Sequence, residues 1–131
     1  MIGRLNHVAI VVENIEEAAA LYSRVFGFEL VETFRDPNQT FKSAMVRIQN
    51  ATCELLEPIG DGPIAKYLRE RGGGLHHVSL EVDDLDKELE SLRAMGVRLI
   101  DSEPQQVGKD RIAFLHPKAM KGVLIELVQK G

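Results

Sequence analysis

The sequence contains a single cysteine, Cys53, among its 131 residues. One cysteine cannot form an intramolecular disulfide, so the chain is not a disulfide-stapled scaffold, which agrees with a reducing compartment. Cys53 lies within an apolar run, where a small buried thiol is expected more often than a nucleophile. We therefore expect Cys53 to be an inert core residue.

The sequence also lacks a basic excess, a long apolar run and a signal segment. Its formal net charge is -4 at pH 7, which gives no general reason to expect nucleic acid or an anionic membrane as partner. No apolar run approaches a membrane span, and no charged N-terminal region precedes an apolar core. We expect a cytoplasmic protein, and any anionic ligand would need a local basic patch.

What the sequence does contain is an internal repeat. Residues 7–12 and 77–82 both begin with His-Val and place apolar residues at matching alternate positions, with a shift of 70. Asn14 and Asp84 then stand where a helix N-cap is expected, each followed by acidic residues and an apolar stripe at helical spacing. The two halves therefore begin with the same strand and helix.

Each half is predicted to continue with three strands after its helix. The expected strands are 28–36, 41–48 and 51–57 in the first half, and 98–101, 110–116 and 121–128 in the second. Glycines and prolines between the halves mark a turn, and residues 64–68 suggest a short helix. The predicted organisation is one domain of residues 1–131, with module one at 1–59, a linker at 60–73 and module two at 74–131.

Two histidines and two glutamates recur at matching repeat positions. His7 precedes Glu54 by 47 positions, and His77 precedes Glu126 by 49. A lone strand histidine is usually a hydrogen-bonded residue, and a lone strand glutamate is usually solvated. Burying repeated His and Glu side chains within apolar strands costs free energy unless the side chains are paired with each other or coordinate a metal. Two imidazoles and two carboxylates suit Zn, Ni, Co, Mn or Fe, so we predict one divalent ion per chain.

The remaining polar candidates are given more ordinary roles. His76 alternates with His77 and is expected to be a structural or capping residue. His116 is expected to be a surface turn residue, the alternative being a position at the mouth of a ligand cavity. By default the cations of the second half form a solvated charged rim. These cations are Lys109, Arg111, Lys118 and Lys121, and Lys118, which follows the His-Pro turn, is the one favoured for contact with an anionic ligand.

These residues resemble the vicinal-oxygen-chelate (glyoxalase/bleomycin-resistance/dioxygenase) superfamily from residues 5–10 to residues 122–127. Within it, three stretches are similar to the methylmalonyl-CoA epimerase family. They are Glu-Leu-Leu-Glu-Pro at 54–58 with 63–68 after it, Gly-Leu-His-His-Val at 74–78, and Ala-Phe-Leu-His-Pro-Lys at 113–118.

The resemblance implies an α+β fold in which two βαβββ modules form a curled eight-stranded mixed sheet around a metal cavity, the glyoxalase-like fold. It also implies a homodimer. The family's metal positions carry over onto His7, Glu54, His77 and Glu126. The implied reaction is metal-dependent epimerisation of methylmalonyl-CoA, an acyl-CoA thioester, through a metal-stabilised enolate. Glu126 and Glu54 are then candidate bases, or both remain ligands while water relays the protons.

The sequence departs from the epimerase pattern in three places. Several epimerases carry glutamine where Glu54 stands, residues 40–45 lack a third-strand glutamate, and the glycine-rich loop at 105–110 is altered. The alternative is glyoxalase I (lactoylglutathione lyase), or another lyase or isomerase of the family. A dioxygenase is disfavoured by the fourth ligand, Glu54. A non-enzymatic bleomycin-resistance-type binding protein is disfavoured because all four ligand positions are retained.

Overall fold

The computed structural model describes residues 2–131, so only the first position of predicted module one lies outside the description. In chain order the elements are β1 Ile2–Val11, α1 Ile15–Phe26, β2 Glu29–Arg35, β3 Phe41–Arg47, β4 Thr52–Pro58, α2 Pro63–Arg71, β5 Gly74–Val82, α3 Leu85–Ala94, β6 Gln105–Val107, β7 Asp110–Leu115 and β8 Ile125–Gln129. The strands form a mixed sheet in the order β2-β3-β4-β1-β5-β8-β7-β6. The predicted order of strand, helix and three strands is confirmed in both halves.

Both predicted helix starts are confirmed by their caps. The side chain of Asn14 accepts a hydrogen bond from the backbone N–H of Glu17, and that of Asp84 accepts one from Lys87. Each cap satisfies a backbone donor that has no partner inside its helix. The repeat seen in the sequence therefore extends to the way each helix begins.

Contacts divide the chain into two compact units whose limits fall inside strands. One unit is His7–His76, and the other combines the residues up to Asn6 with His77–Gly131. The limits lie within β1 and β5 and differ from the predicted modules 1–59 and 74–131, which stay a prediction. Each repeated histidine is the first residue after such a limit.

In the unit His7–His76, the sheet separates two apolar clusters. β4 is parallel to β1 and antiparallel to β3, which is antiparallel to β2. One face packs against α1 through Ala44, Val46, Leu55 and Ile15. The other face packs against α2 through Ala9, Val11, Leu56 and Ile64. Because side chains alternate along a strand, His7 and Glu54 lie on the α2 side.

The other unit repeats this arrangement. β8 is parallel to β5 and antiparallel to β7, and the face covered by α3 carries Val82, Leu127, Leu85 and Leu89. His77 and Glu126 have the opposite parity to Val82 and Leu127, so they lie on the face away from α3. Each half therefore places its histidine and glutamate on the face that its first helix does not cover.

The strand predicted at 98–101 is wrong. This segment forms an isolated bridge, Leu99 with Leu115, and a few backbone hydrogen bonds to Phe114 and His116, but no strand. The first strand after α3 is β6 at Gln105–Val107. The Asp101 carboxylate accepts a hydrogen bond from the backbone N–H of Phe114 at 2.7 Å. In a regular sheet, this N–H would instead donate to the backbone of a neighbouring strand. A side chain that takes a backbone donor in this way interrupts the ladder.

The last strand begins later than the predicted 121–128. A 3-10 helix occupies Pro117–Met120, and Lys121 has the left-handed conformation, with φ 57°. The N–H of Gly122 donates to the carbonyl of Pro117 at 2.8 Å, which closes the turn before β8 starts at Ile125. The β-prone composition of this segment is overridden by its turn.

The edge strand β2 is almost entirely exposed. Leu30 is 54% exposed and Val31 is 42% exposed. The register with β3 shifts between Leu30 and Glu32, so one residue of β2 is left without an opposite partner. Such a bulge bends the strand and increases its twist.

Candidate active site

His7 and Glu54 form a close pair in the unit His7–His76. The Nε2 atom of His7 lies 3.4 Å from Oε1 of Glu54. The histidine is 5% exposed, and the glutamate side chain is 16% exposed. In register, Glu54 lies between Ala9 on β1 and Met45 on β3. An imidazole and a carboxylate are thus held together by regular strand pairing.

Glu126 occupies the equivalent place in the other unit. It is 7% exposed and lies in register between Ser79 on β5 and Phe114 on β7. Its Oε1 atom accepts a hydrogen bond from the Ser79 hydroxyl at 2.7 Å. His77, 6% exposed, contacts the Phe114 ring edge-on with centroids 5.4 Å apart. The carboxylate and the imidazole of this half are both oriented by neighbours.

Within the part of the chain that the structure describes, three of the predicted ligand residues have donor atoms that could hold a metal ion. They are His7, His77 and Glu126. All three are buried, and each offers an imidazole nitrogen or a carboxylate oxygen. Burying such groups is costly unless they are hydrogen-bonded, paired or coordinated. The donor types therefore fit a divalent transition metal, with Glu54 beside His7 as a further carboxylate.

His76 and Cys53 have structural surroundings. The His76 ring packs edge-on against Tyr67 of α2, with centroids 4.9 Å apart, and burial lowers the pKa of His76 although Glu54 opposes this shift. Burial raises the pKa of the Cys53 thiol, and the charge of Glu54 raises it further. A raised pKa favours the protonated, less reactive thiol. Cys53 is half-buried rather than fully buried, and its inertness stays a prediction.

His116 is more than a surface turn residue. It is the N-cap of the 3-10 helix, and its Nδ1 accepts a hydrogen bond from the backbone N–H of Lys118 at 3.1 Å. Lys118 itself is exposed. Among the other predicted rim cations, Arg111 makes two hydrogen bonds to Asp86, at 2.8 and 3.1 Å. Arg111 is therefore engaged with α3, whereas Lys118 is presented on a capped turn.

The structure adds two contacts that sequence reasoning missed. Glu57 accepts a hydrogen bond from the backbone N–H of Ile15, and Gln129 accepts one from Leu85. Both acceptors follow the repeated glutamate by three positions, which was the available signal. Ser79 could have been found from its parity with His77, but the identity of its partner required the β5–β8 register.

Comparison with known proteins decides the family. Residues 6–114 match the Glyoxalase/Bleomycin resistance protein/Dioxygenase superfamily. The chain belongs to this superfamily. It is 42% identical to the mitochondrial methylmalonyl-CoA epimerase of Dictyostelium discoideum, over 98% of this chain and 80% of that protein. It is 39% identical to the ethylmalonyl-CoA/methylmalonyl-CoA epimerase of Cereibacter sphaeroides, over 98% of this chain and 99% of that protein.

A solved epimerase structure matches the whole chain. A substituted form of the Streptomyces coelicolor methylmalonyl-CoA epimerase in complex with 2-nitronate-propionyl-CoA has a TM-score of 0.94 and 32% identity, and the match covers 100% of this chain and 96% of that one. The predicted α+β, glyoxalase-like fold is thereby confirmed. None of the helices within residues 2–131 has the length and hydrophobicity of a membrane-spanning segment.

Proposed function

We propose that this protein is a metal-dependent isomerase that epimerises methylmalonyl-CoA. The observation that carries the proposal is the repeated pair of a strand histidine and a strand glutamate, within a chain 39–42% identical to epimerases. Each pair lies on the strand face that the first helix of its half leaves uncovered. The fold of this superfamily is thus combined with donor groups suited to enolate chemistry.

The proposed substrate is an acyl-CoA. The relatives named above act on methylmalonyl-CoA or ethylmalonyl-CoA according to their names, and the matched epimerase holds a nitronate analogue of propionyl-CoA. The α-proton of such a thioester is a weak acid, so its removal requires stabilisation of the negative charge that develops on the carbonyl oxygen.

The proposed ligands of the metal are His7, Glu54, His77 and Glu126. Their donor atoms are two imidazole nitrogens and two carboxylate oxygens, which suit Co, Ni, Zn, Mn or Fe. A divalent ion held there would act as a Lewis acid toward the thioester carbonyl. Ser79 supports the set, because a hydrogen bond to a ligating carboxylate fixes its orientation.

Glu126 and Glu54 are the proposed acid and base. One carboxylate takes the proton from the α-carbon, and the C–H electron pair moves toward the thioester carbonyl. The other glutamate, which starts protonated, gives its proton to the opposite face of the α-carbon as the electron pair returns there, which inverts the centre and exchanges the protonation states of the two glutamates. Residues 40–45 contain no carboxylate, so no third-strand base competes for this role. If both glutamates act only as ligands, water must carry the protons instead.

Lys118 is the proposed contact for the anionic CoA moiety. It is exposed, and its backbone is held by the His116 cap. Arg111, in contrast, is already paired with Asp86. A homodimer and a cytoplasmic location remain expectations from the sequence.

The deciding experiment is solvent-deuterium incorporation at the α-carbon of methylmalonyl-CoA by metal-loaded protein, followed by mass spectrometry. We expect rapid exchange and interconversion of the two epimers, abolished by chelation and restored by added metal. Methylglyoxal with glutathione is assayed in parallel for the glyoxalase I alternative. Turnover of the hemithioacetal without exchange into methylmalonyl-CoA would replace the epimerase proposal with that alternative.

A further inference from the structure

The two carboxylates of the site are equivalent in the repeat but differ in their neighbours. Glu126 pairs in register with Ser79 across β8 and β5, and Glu54 pairs with Ala9 across β4 and β1. The repeat shift of 70 carries Ala9 onto Ser79. One half therefore has a hydroxyl at the position where the other half has a methyl group.

The hydroxyl of Ser79 is placed to act on Glu126. Ser79 is 0% exposed, and its Oγ donates to Oε1 of Glu126 at 2.7 Å. Hydrogen bonds from a neutral hydroxyl to a carboxylate are short and stronger than those between neutral groups. Because both residues lie on regular strands paired in register, the bond restricts rotation of the carboxylate. Oε1 keeps a second lone pair, so the bond is compatible with Glu126 acting as a metal ligand.

Ala9 cannot do the same for Glu54. Ala9 is also 0% exposed, but its side chain offers no donor. In that half, the Oε1 atom of Glu54 instead lies 3.4 Å from Nε2 of His7. The two glutamates thus differ in what orients them, although both lie on the same side of their half of the repeat.

We propose that Ser79 is a positioning residue that orients Glu126 and thereby makes the two carboxylates functionally unequal. This inference rests on the proposed epimerase function. With Ser79 in place, Glu126 presents its second oxygen in a fixed direction, toward one face of the α-carbon. Removing the hydroxyl impairs proton transfer on that face and leaves the other face to Glu54.

The test uses Ser79→Ala and Ser79→Cys in metal-saturated protein, with exchange measured separately for each methylmalonyl-CoA epimer. Exchange that returns deuterium to the same epimer needs only the base on that face. We expect Ser79→Ala to slow exchange of one epimer by ~10–100-fold, the usual effect of removing a partner from a ligating group. Ser79→Cys, with a similar volume and a weaker donor, should lie between wild type and Ser79→Ala.

A double-mutant cycle identifies the partner through which Ser79 acts. The epimer slowed by Ser79→Ala should be the one slowed by Glu126→Gln, and the double variant should be no slower than Glu126→Gln alone. Equal slowing of both epimers, or additive effects in the double variant, would overturn the inference. Such results would leave the epimerase proposal intact, because that proposal fails only if wild-type protein does not exchange the substrate.

Metal affinity gives a readout independent of turnover. We expect Ser79→Ala to bind Co or Zn at least ~10-fold more weakly than wild type in chelator competition. Ser43→Ala removes another buried serine hydroxyl, since Ser43 is 3% exposed, and serves as the control for a general effect on packing. A fall in affinity that Ser43→Ala reproduces, or no fall in either variant, would assign Ser79 a purely structural role.

Discussion

The Oε1 atom of Glu57 lies 2.9 Å from the backbone nitrogen of Ile15 and accepts its hydrogen bond at the start of α1. This bond joins the last strand of the half to its helix. Replacing Glu57 by Ala should lower the free energy of unfolding by about 1 kcal/mol, the typical value of a helix cap. Urea denaturation measures the change. Glu57→Gln keeps an acceptor oxygen and should lose clearly less, and equal losses would show that charge rather than capping matters.

Replacing His77 by Ala should weaken metal binding while the fold is retained. The predicted loss of affinity exceeds the ~10–100-fold typical of removing an outer partner, because a ligand itself is lost. Chelator competition measures the affinity, and circular dichroism checks the fold. His76→Ala is the matched control, since His76 packs against Tyr67 instead. Full metal occupancy in His77→Ala protein would remove His77 from the ligand set.

Metal binding should raise thermal stability. The proposed ligands come from both halves of the repeat. An ion that binds only the folded protein stabilises it by mass action, by about 2.7 kcal/mol when the free metal concentration is 100 times the Kd. Tm measured at increasing free metal should therefore rise steadily above the EDTA value. Identical melting of chelated protein and of protein first shown to carry metal would contradict this set of ligands.

The two glutamates should respond differently to amide substitution. Glu126→Gln can still coordinate through its amide oxygen but cannot accept the α-proton, so exchange of one epimer should fall by ~10²–10⁴-fold at saturating metal. Glu54→Gln should retain substantial activity if Glu54 is mainly a ligand, and should lose exchange of the other epimer if it is the second base. Near-wild-type exchange of both epimers in Glu126→Gln would exclude Glu126 as a base.

The His116 cap should make stability depend on pH. Desolvation lowers the pKa of His116, and the positive charges of Arg98 and Lys118 lower it further. Between the folded pKa and the ordinary value of 6.5, the unfolded chain binds more protons, so stability is full above that value and falls as the pH drops through the folded pKa. Because asparagine also caps and does not titrate, wild type and His116→Asn should have similar stability above pH 6.5, and wild type should become less stable than the variant as the pH falls. A difference independent of pH from 5 to 8 would rule out the cap as its source.

The repeat made much of the architecture predictable. Strand alternation around His7 and His77, and the caps at Asn14 and Asp84, depend on local sequence and appear in the structure as predicted. The strand predicted at 98–101 does not form, and the hydrogen bond that replaces its pairing joins Asp101 to Phe114, 13 positions away. Periodicity carries no information about such a contact.

The candidate site was predictable in its residue types but not in its asymmetry. Glu54 and Glu126 stand out because they recur inside apolar runs. In the sequence alone, the difference between Ala9 and Ser79 has no evident significance. The parallel strand registers give it one, because they place each of these residues opposite a glutamate. A partner set by register between strands some 45 positions apart emerges only from the folded chain.

The bulge in β2 has a consequence for encounters between copies of this protein. An exposed edge strand offers unpaired backbone groups on which another chain can add a strand, and apolar side chains such as Leu30 and Val31 would favour that addition. The irregular register at Leu30 and Glu32 twists the edge, and the charges of Glu29, Glu32 and Arg35 oppose a flat approach. β6, at the other end of the strand order, is three residues long and offers little template. Growth of an intermolecular sheet is thus discouraged at both edges while the chain remains folded.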